Sequence, residues 1–259
     1  KAIPLPVEAL NRAKSAQAYA SNFNDPLLKD QWNLINNAPF EGKSVVGADV
    51  QIEEAWKLNT GDPSIIVAVL DEGIDVNHPD LKDNMWQNEG EIYGSTEDND
   101  NNGYIGDRHG YNFIADCGVI SADDVYDTGH GTHVAGVIAA VNNNGIGISS
   151  VAGGNGNQSG VKIMSCQIFS GNLAGTVLAE VQAIKYAADN GAVILQCSWG
   201  YISGSANPFE WGPQYSTDEE WKSSNPIEVA ALDYFVNNAG SQNGVINGGI
   251  AIFASGNES

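Results

Sequence analysis

Positive charge is scarce in this chain. Lysine and arginine number 11 against 32 aspartates and glutamates, a formal net charge of −21. Such an excess repels nucleic acid and anionic membrane surfaces, and it offers carboxylates to hard cations such as calcium. Long apolar runs are missing too. None approaches the roughly 20 residues that a membrane-spanning helix needs, so no membrane span is expected. Cysteine is rare: Cys117, Cys166 and Cys197 are odd in number and widely spaced, which excludes a disulfide framework and a zinc signature. Cys166 and Cys197 lie inside apolar runs and read as small buried hydrophobes. The sequence opens at Lys1 with neither a Met nor an apolar leader, and so reads as a mature or trimmed product.

Within those limits the composition is that of a folded protein. Apolar residues make up 42% and charged residues 17%, and 259 residues suffice for one large domain or two small ones. Thirty glycines imply many tight loops. Residues 1–23 read as a polar leader or linker, and 24–259 as the folded part. Four continuous apolar runs stand out: 64–70 (SIIVAVL), 161–168 (VKIMSCQI), 192–197 (AVILQC) and 250–254 (IAIFA). Continuous apolarity means burial on both faces, as in a parallel sheet covered by helices. Thr176 is expected to cap a helix whose apolar stripe is Val177, Val181 and Ile184, closing at Asn190-Gly191. Asn225-Pro226-Ile227-Glu228 predicts a second helix running to about Asn238, with Asn as cap, Pro first and Glu third. A third begins near His130 and covers 134–141. The stretches 201–225 and 241–249 read as surface loops. The alternation predicts an α/β fold: a three-layer domain with a parallel sheet and helices on both faces.

Open parallel sheets bind ligands at the carboxyl ends of their strands. Here those ends are Asp71, Phe169-Ser170-Gly171, Ser198-Trp199-Gly200 and Ser255-Gly256-Asn257. Gly129-His130-Gly131-Thr132-His133 opens a helix. A histidine there lies near the positive end of the helix dipole, which disfavours imidazolium and leaves a neutral ring available as general base. A carboxylate on its other nitrogen would fix the tautomer and stabilise the cation once formed. His133 reads as a packed helix residue and His78 as a turn residue, while His109 carries no signal.

These residues carry a family resemblance. Ala68-Val69-Leu70-Asp71-Glu72-Gly73-Ile74-Asp75, followed by Asn77-His78-Pro79-Asp80-Leu81, resembles the aspartate motif of the subtilisin-type serine proteases (subtilases). His130-Gly131-Thr132-His133-Val134-Ala135-Gly136 resembles their histidine motif. Ser198-Trp199-Gly200 resembles the segment lining the primary specificity pocket, and Ala254-Ser255-Gly256-Asn257-Glu258 the segment bearing the oxyanion-hole asparagine. The four come in the family's order, from about Asn24 to the last residue. The resemblance implies a subtilisin-like peptidase domain, incomplete at the C-terminus, from an extracellular or cell-surface serine endopeptidase. By the same resemblance Asp71 orients His130, His130 moves the proton, and Asn257 donates to the oxyanion. Leu173-Ala174-Gly175 and Ser198-Trp199-Gly200 would pair with an extended polypeptide substrate, and Trp199 would wall the first pocket.

Two departures matter. Glu72 stands where many family members have a small hydroxyl residue or Asp. No segment matches the family's Gly-Thr-Ser-Met-Ala-like nucleophile region. The serine is therefore expected on a complementary C-terminal fragment, and this chain alone is expected to be inactive. The competing reading is a non-catalytic, calcium-stabilised peptide-binding scaffold.

The run 98–107 (DNDNNGYIGD) resembles the first part of a calcium-binding loop. Asp98, Asp100 and Asn102 have alternate spacing, Tyr104 can offer its carbonyl, and Asp107 can replace the missing twelfth-position Glu. The other reading of this run is a polar Asn/Gly turn. The run 153–157 (GGNGN) reads as a flexible loop.

Overall fold

The computed structural model describes residues 23–37, 44–122, 128–170, 175–201 and 215–257. The proposed leader therefore falls outside the described residues except for Phe23. Two compact units can be distinguished. The first comprises 1–63, 77–84 and 136–161, the second 64–76, 85–135 and 162–259.

In the first unit, helix α1 (Ile52–Trp56) and its neighbours bury Leu34, Ile52 and Trp56. Trp56 donates its indole N–H to the Val151 carbonyl at 3.1 Å. The 153–157 run is packed in its first part, where a Cβ on Gly153 would stand 1.7 Å from the Ala140 carbonyl oxygen and Asn155 is buried, while Gly156 and Asn157 are exposed.

The second unit holds the sheet. Its strands are β1 (Ile66–Asp71), β2 (Gly110–Asn112), β3 (Lys162–Gln167), β4 (Ala192–Cys197) and β5 (Ile250–Phe253). They run parallel in the order β2-β3-β1-β4-β5. Central β1 is buried at all six positions, which is why its sequence is apolar without alternation. β2 was not expected. Its Gly-Tyr-Asn sequence has no strand periodicity. It forms because a Cβ on Gly110 would meet the Ser165 carbonyl oxygen at 1.9 Å, so only glycine lets it lie against β3.

Helix α2 (His130–Ala139) begins where expected. Helix α3 (Val177–Asp189) is capped by Thr176, whose side chain accepts from the Ala179 N–H. Of the expected stripe, Ile184 is buried and Val181 packs partly buried against the core, while Val177 is exposed; Ala179, Glu180, Ala183, Ala187 and Ala188 also face inward. The inward face is thus wider than the stripe and rich in small residues, and of the two valines only Val177, in the first turn, lies off it. A further short helix, α4 (Asp218–Ser224), occupies the region expected to be loop. Helix α5 (Pro226–Asn238) follows directly. Asn225 does not cap it by side chain. Its amide donates instead to the Trp221 carbonyl at the end of α4, and Glu228 is buried rather than closing a capping box. The core gathers Leu70, Met164, Ile184, Tyr186, Leu195 and Phe235 between sheet and helices. Among the described residues no helix is long and apolar enough to cross a membrane.

Candidate active site

Because the strands are parallel, Asp71, Ser198 and Asn257 all follow or end strands at one edge of the sheet. Asp71 is held there by its own backbone. Its carbonyl accepts from the N–H groups of Ile168, at 2.9 Å, and Phe169, at 3.3 Å. Its side chain is 2% exposed, and Oδ1 accepts the Glu72 N–H at 2.7 Å.

His130 meets it. The imidazole Nδ1–H donates to Asp71 Oδ1 at 2.7 Å, while the histidine side chain stays half-exposed. This fixes the tautomer that carries the proton on Nδ1 and leaves Nε2 with a free lone pair. Burial raises the Asp71 pKa, and the hydrogen bonds from His130 and Glu72 oppose that rise. An ionised carboxylate beside the ring is what an incoming proton on the imidazole requires for stabilisation.

The residues around His130 set its position by close approach. A Cβ on Gly131 would lie 2.3 Å from the Glu72 carbonyl oxygen, so at this position only glycine lets α2 come so close to the strand end. Thr132 accepts the Asp75 N–H at 3.0 Å. His133, expected to be packed, is exposed. His109 points elsewhere, its Nδ1 2.9 Å from the Trp86 carbonyl, and burial lowers its pKa.

Trp199 donates its indole N–H to the Leu70 carbonyl at 2.8 Å and meets Phe169 and Phe253 edge-to-face. It lines a cavity of about 540 Å³, together with Gly200, Tyr201, Trp221, Glu228 and Phe253. Ser198 Oγ accepts from Gln196. Gly175 admits no side chain, since a Cβ would stand 2.5 Å from the Ile168 carbonyl oxygen. Leu173 and Ala174 lie outside the described residues. Asn257 is exposed, one residue after Gly256, whose φ of +97° is reachable mainly by glycine.

The acidic loop gathers part of the expected set and adds a residue. Carboxylate oxygens of Glu91, Asp100 and Asp107 lie within 4.8 Å of one another. Asp107 is fully buried and accepts from Tyr186 Oη at 2.7 Å, Asn88 at 3.0 Å and Asn102 at 3.1 Å. Burial raises its pKa, and those three hydrogen bonds oppose the rise. Asp98 serves the turn, accepting the N–H groups of Asn102 and Gly103. The Tyr104 ring packs edge-to-face on Tyr111 and Tyr186. Glu91 stands outside the 98–107 run, so loop spacing could not reveal it.

The model of the subtilase family matches residues 62–259. The chain belongs to the subtilase family. Subtilisin-like protease 1 of Plasmodium vivax is 31% identical over 191 residues, covering 73% of this chain and 26% of that protein. Protease KEX1 of Kluyveromyces lactis is 32% identical over 203 residues, covering 77% of this chain and 21% of that protein. The chain thus spans less than a third of the curated relatives it matches. Among solved structures, the Aeromonas sobria serine protease in complex with its chaperone superposes with a TM-score of 0.61 at 20% identity, over 95% of this chain and 34% of that one. A Pseudoalteromonas arctica protease superposes with a TM-score of 0.54 at 22% identity, over 92% and 60% of the two chains. The parallel sheet with its helices is therefore the subtilase α/β fold.

Proposed function

We propose that this subtilase is part of a serine endopeptidase in which Asp71 and His130 supply the acid and base of an Asp-His-Ser triad. The observation that carries the reading is the 2.7 Å bond from His130 Nδ1 to a buried Asp71 carboxylate, at the strand edge where such folds bind ligands. In this reading His130 Nε2 removes the proton from a serine hydroxyl as Oγ attacks the scissile carbonyl. Asp71 stabilises the imidazolium that results. His130 then returns the proton to the leaving amine. Asn257 donates to the oxyanion, and Gly175 and Ser198-Trp199-Gly200 align the polypeptide substrate, with Trp199 walling the first pocket.

No Gly-Thr-Ser-Met-Ala-like segment occurs in the 259 residues, so we assign the serine to polypeptide not among them. Edge strand β5 supports a complementary fragment, because Ile250, Ile252 and Phe253 are exposed on it. By its family resemblance the protein acts outside the cell or at its surface. Calcium would bind at Glu91, Asp100 and Asp107. The all-oxygen donor set suits a hard cation, and rotation of the Asn88 or Asn102 amide would turn a further oxygen toward it. Bound there, the ion would neutralise the clustered carboxylates and hold the loop.

A fluorophosphonate probe added to the native protein tests the catalytic reading. Labelling of a serine that is lost in His130→Ala supports it. No labelling of any polypeptide in the preparation overturns it.

A further inference from the structure

The residue preceding helix α2 is Gly129, which has no side chain to offer the first turn. The first helical hydrogen bond runs from the His133 N–H to the Gly129 carbonyl, at 2.9 Å, and Gly129 has φ +73°. The residue at that position usually accepts an N–H of the first turn through Ser, Thr, Asp or Asn, and glycine cannot. Among the described residues the acceptors are Thr128, just before the helix, and Glu72, which directly follows β1. Glu72 Oε2 accepts from Thr128 Oγ1 at 2.9 Å, from the Thr128 N–H at 3.2 Å and from the His130 N–H at 3.4 Å. Thr128 Oγ1 shares the His130 N–H at 3.3 Å. The backbone of the same residue serves the other member of the pair, since the Glu72 N–H is one of the two donors on Asp71 Oδ1.

We propose that Glu72 is a positioning residue for His130, acting as a substitute cap that locks the helix-opening turn so that the imidazole stays on Asp71. The carboxylate also lies at the positive end of the helix dipole, where a negative charge is favoured. Reach distinguishes positioning from a charge effect. Gln keeps an acceptor oxygen at the same distance without the charge. Asp keeps the charge but falls one methylene short of the turn. Ala supplies neither.

The inference rests on His130 being the base, but its test needs no turnover. The readout is the low-field proton resonance of His130 Nδ1–H in the 259-residue chain, assigned by its loss in His130→Gln. In Glu72→Ala and Glu72→Asp this proton should exchange with water about tenfold faster than in the wild type. In Glu72→Gln it should exchange within about twofold of the wild type. Thermal unfolding of each variant identifies those that keep the fold, and if Glu72→Ala does not, the Asp and Gln pair still decides. Wild-type exchange in Glu72→Asp, or Ala-like exchange in Glu72→Gln, would show that charge rather than capping is what matters and would overturn the proposal. Because the resonance reports geometry alone, positioning can be upheld even where the fluorophosphonate test fails.

Discussion

Glu180 offers a sharp test of how burial controls this molecule. It lies on α3 and is 8% exposed, with Glu228 of α5 beside it at 4%. Tyr201 donates its hydroxyl to both Glu228 oxygens, at 2.9 and 3.0 Å, whereas Glu180 Oε2 has no hydrogen-bond partner among the described residues. Burial, followed by the neighbouring Glu228 carboxyl, pushes the Glu180 pKa from 4.5 up to about 8. The sign follows from proton counting. Below the unfolded value of 4.5 both states hold the proton, so pH has no effect on stability through this group. Between 4.5 and about 8 the folded protein keeps a proton that the unfolded chain has released, so stability falls as pH rises through that window. One such proton costs about 1.4 kcal/mol per pH unit, or roughly 3 kcal/mol over two units inside the window. Glu180→Gln preserves shape and removes the titration. Urea unfolding of both proteins at about pH 5.5, 6.5 and 7.5, followed by tryptophan fluorescence and circular dichroism, should show the difference in unfolding free energy growing by roughly 3 kcal/mol in favour of the variant. The raised carboxyls of Asp71, Asp80 and Asp107 are common to both proteins and cancel in that difference. Parallel stability profiles for the two proteins would refute the reasoning.

Further outcomes follow from the site. In the serine-complemented protein, Asp71→Asn should lower kcat by on the order of 10⁴-fold with little change in KM, because the amide favours the wrong imidazole tautomer; steady-state peptide hydrolysis checks this. Gly131→Ala should lose about 1–3 kcal/mol in thermal or urea unfolding, since its Cβ would stand 2.3 Å from the Glu72 carbonyl oxygen and backbone must move. Calcium at about 100 times its dissociation constant should stabilise the chain by about 2.7 kcal/mol, read as a rise in Tm. Glu91→Gln should abolish that rise, whereas Asp98→Asn should leave most of it, because Glu91 is one of the three converging carboxylates and Asp98 is not.

The parts of the fold legible in the sequence are those where local pattern and tertiary environment agree. β1, β3, β4 and β5 announce themselves as apolar runs, the first three because helices and neighbouring strands cover both of their faces. β2 is hidden because its existence depends on an open position at Gly110 facing Ser165, a contact 55 residues away that no window registers. The face of α3 is only partly legible for a related reason. Its inward line adds alanines and a buried acid to Ile184, and Glu180 looks polar until its burial beside Glu228 is seen. In the acidic loop the alternate spacing draws attention to Asp98, yet that side chain is consumed by the turn, and the third converging carboxylate comes from Glu91.

The histidine motif repays the closest reading, because its residues divide the work in a way that their chemistry alone does not reveal. In the proposed triad only His130 bears chemistry. Gly131 is present because α2 must come within a Cβ's breadth of the Glu72 carbonyl, and Thr132 because the Asp75 N–H needs an acceptor once the chain leaves the strand. Both act on the segment 72–75, which follows Asp71 directly. The aspartate and histidine motifs are thus two halves of one backbone contact, and the 2.7 Å bond between the side chains follows from it. Glu72 belongs to the same contact through N–H, carbonyl and carboxylate at once. If the proposed roles hold, a departure at this position changes how His130 is held while leaving the imidazole itself unchanged. That is why it was visible in the sequence as an extra acid but could not be given a task until α2 was in place.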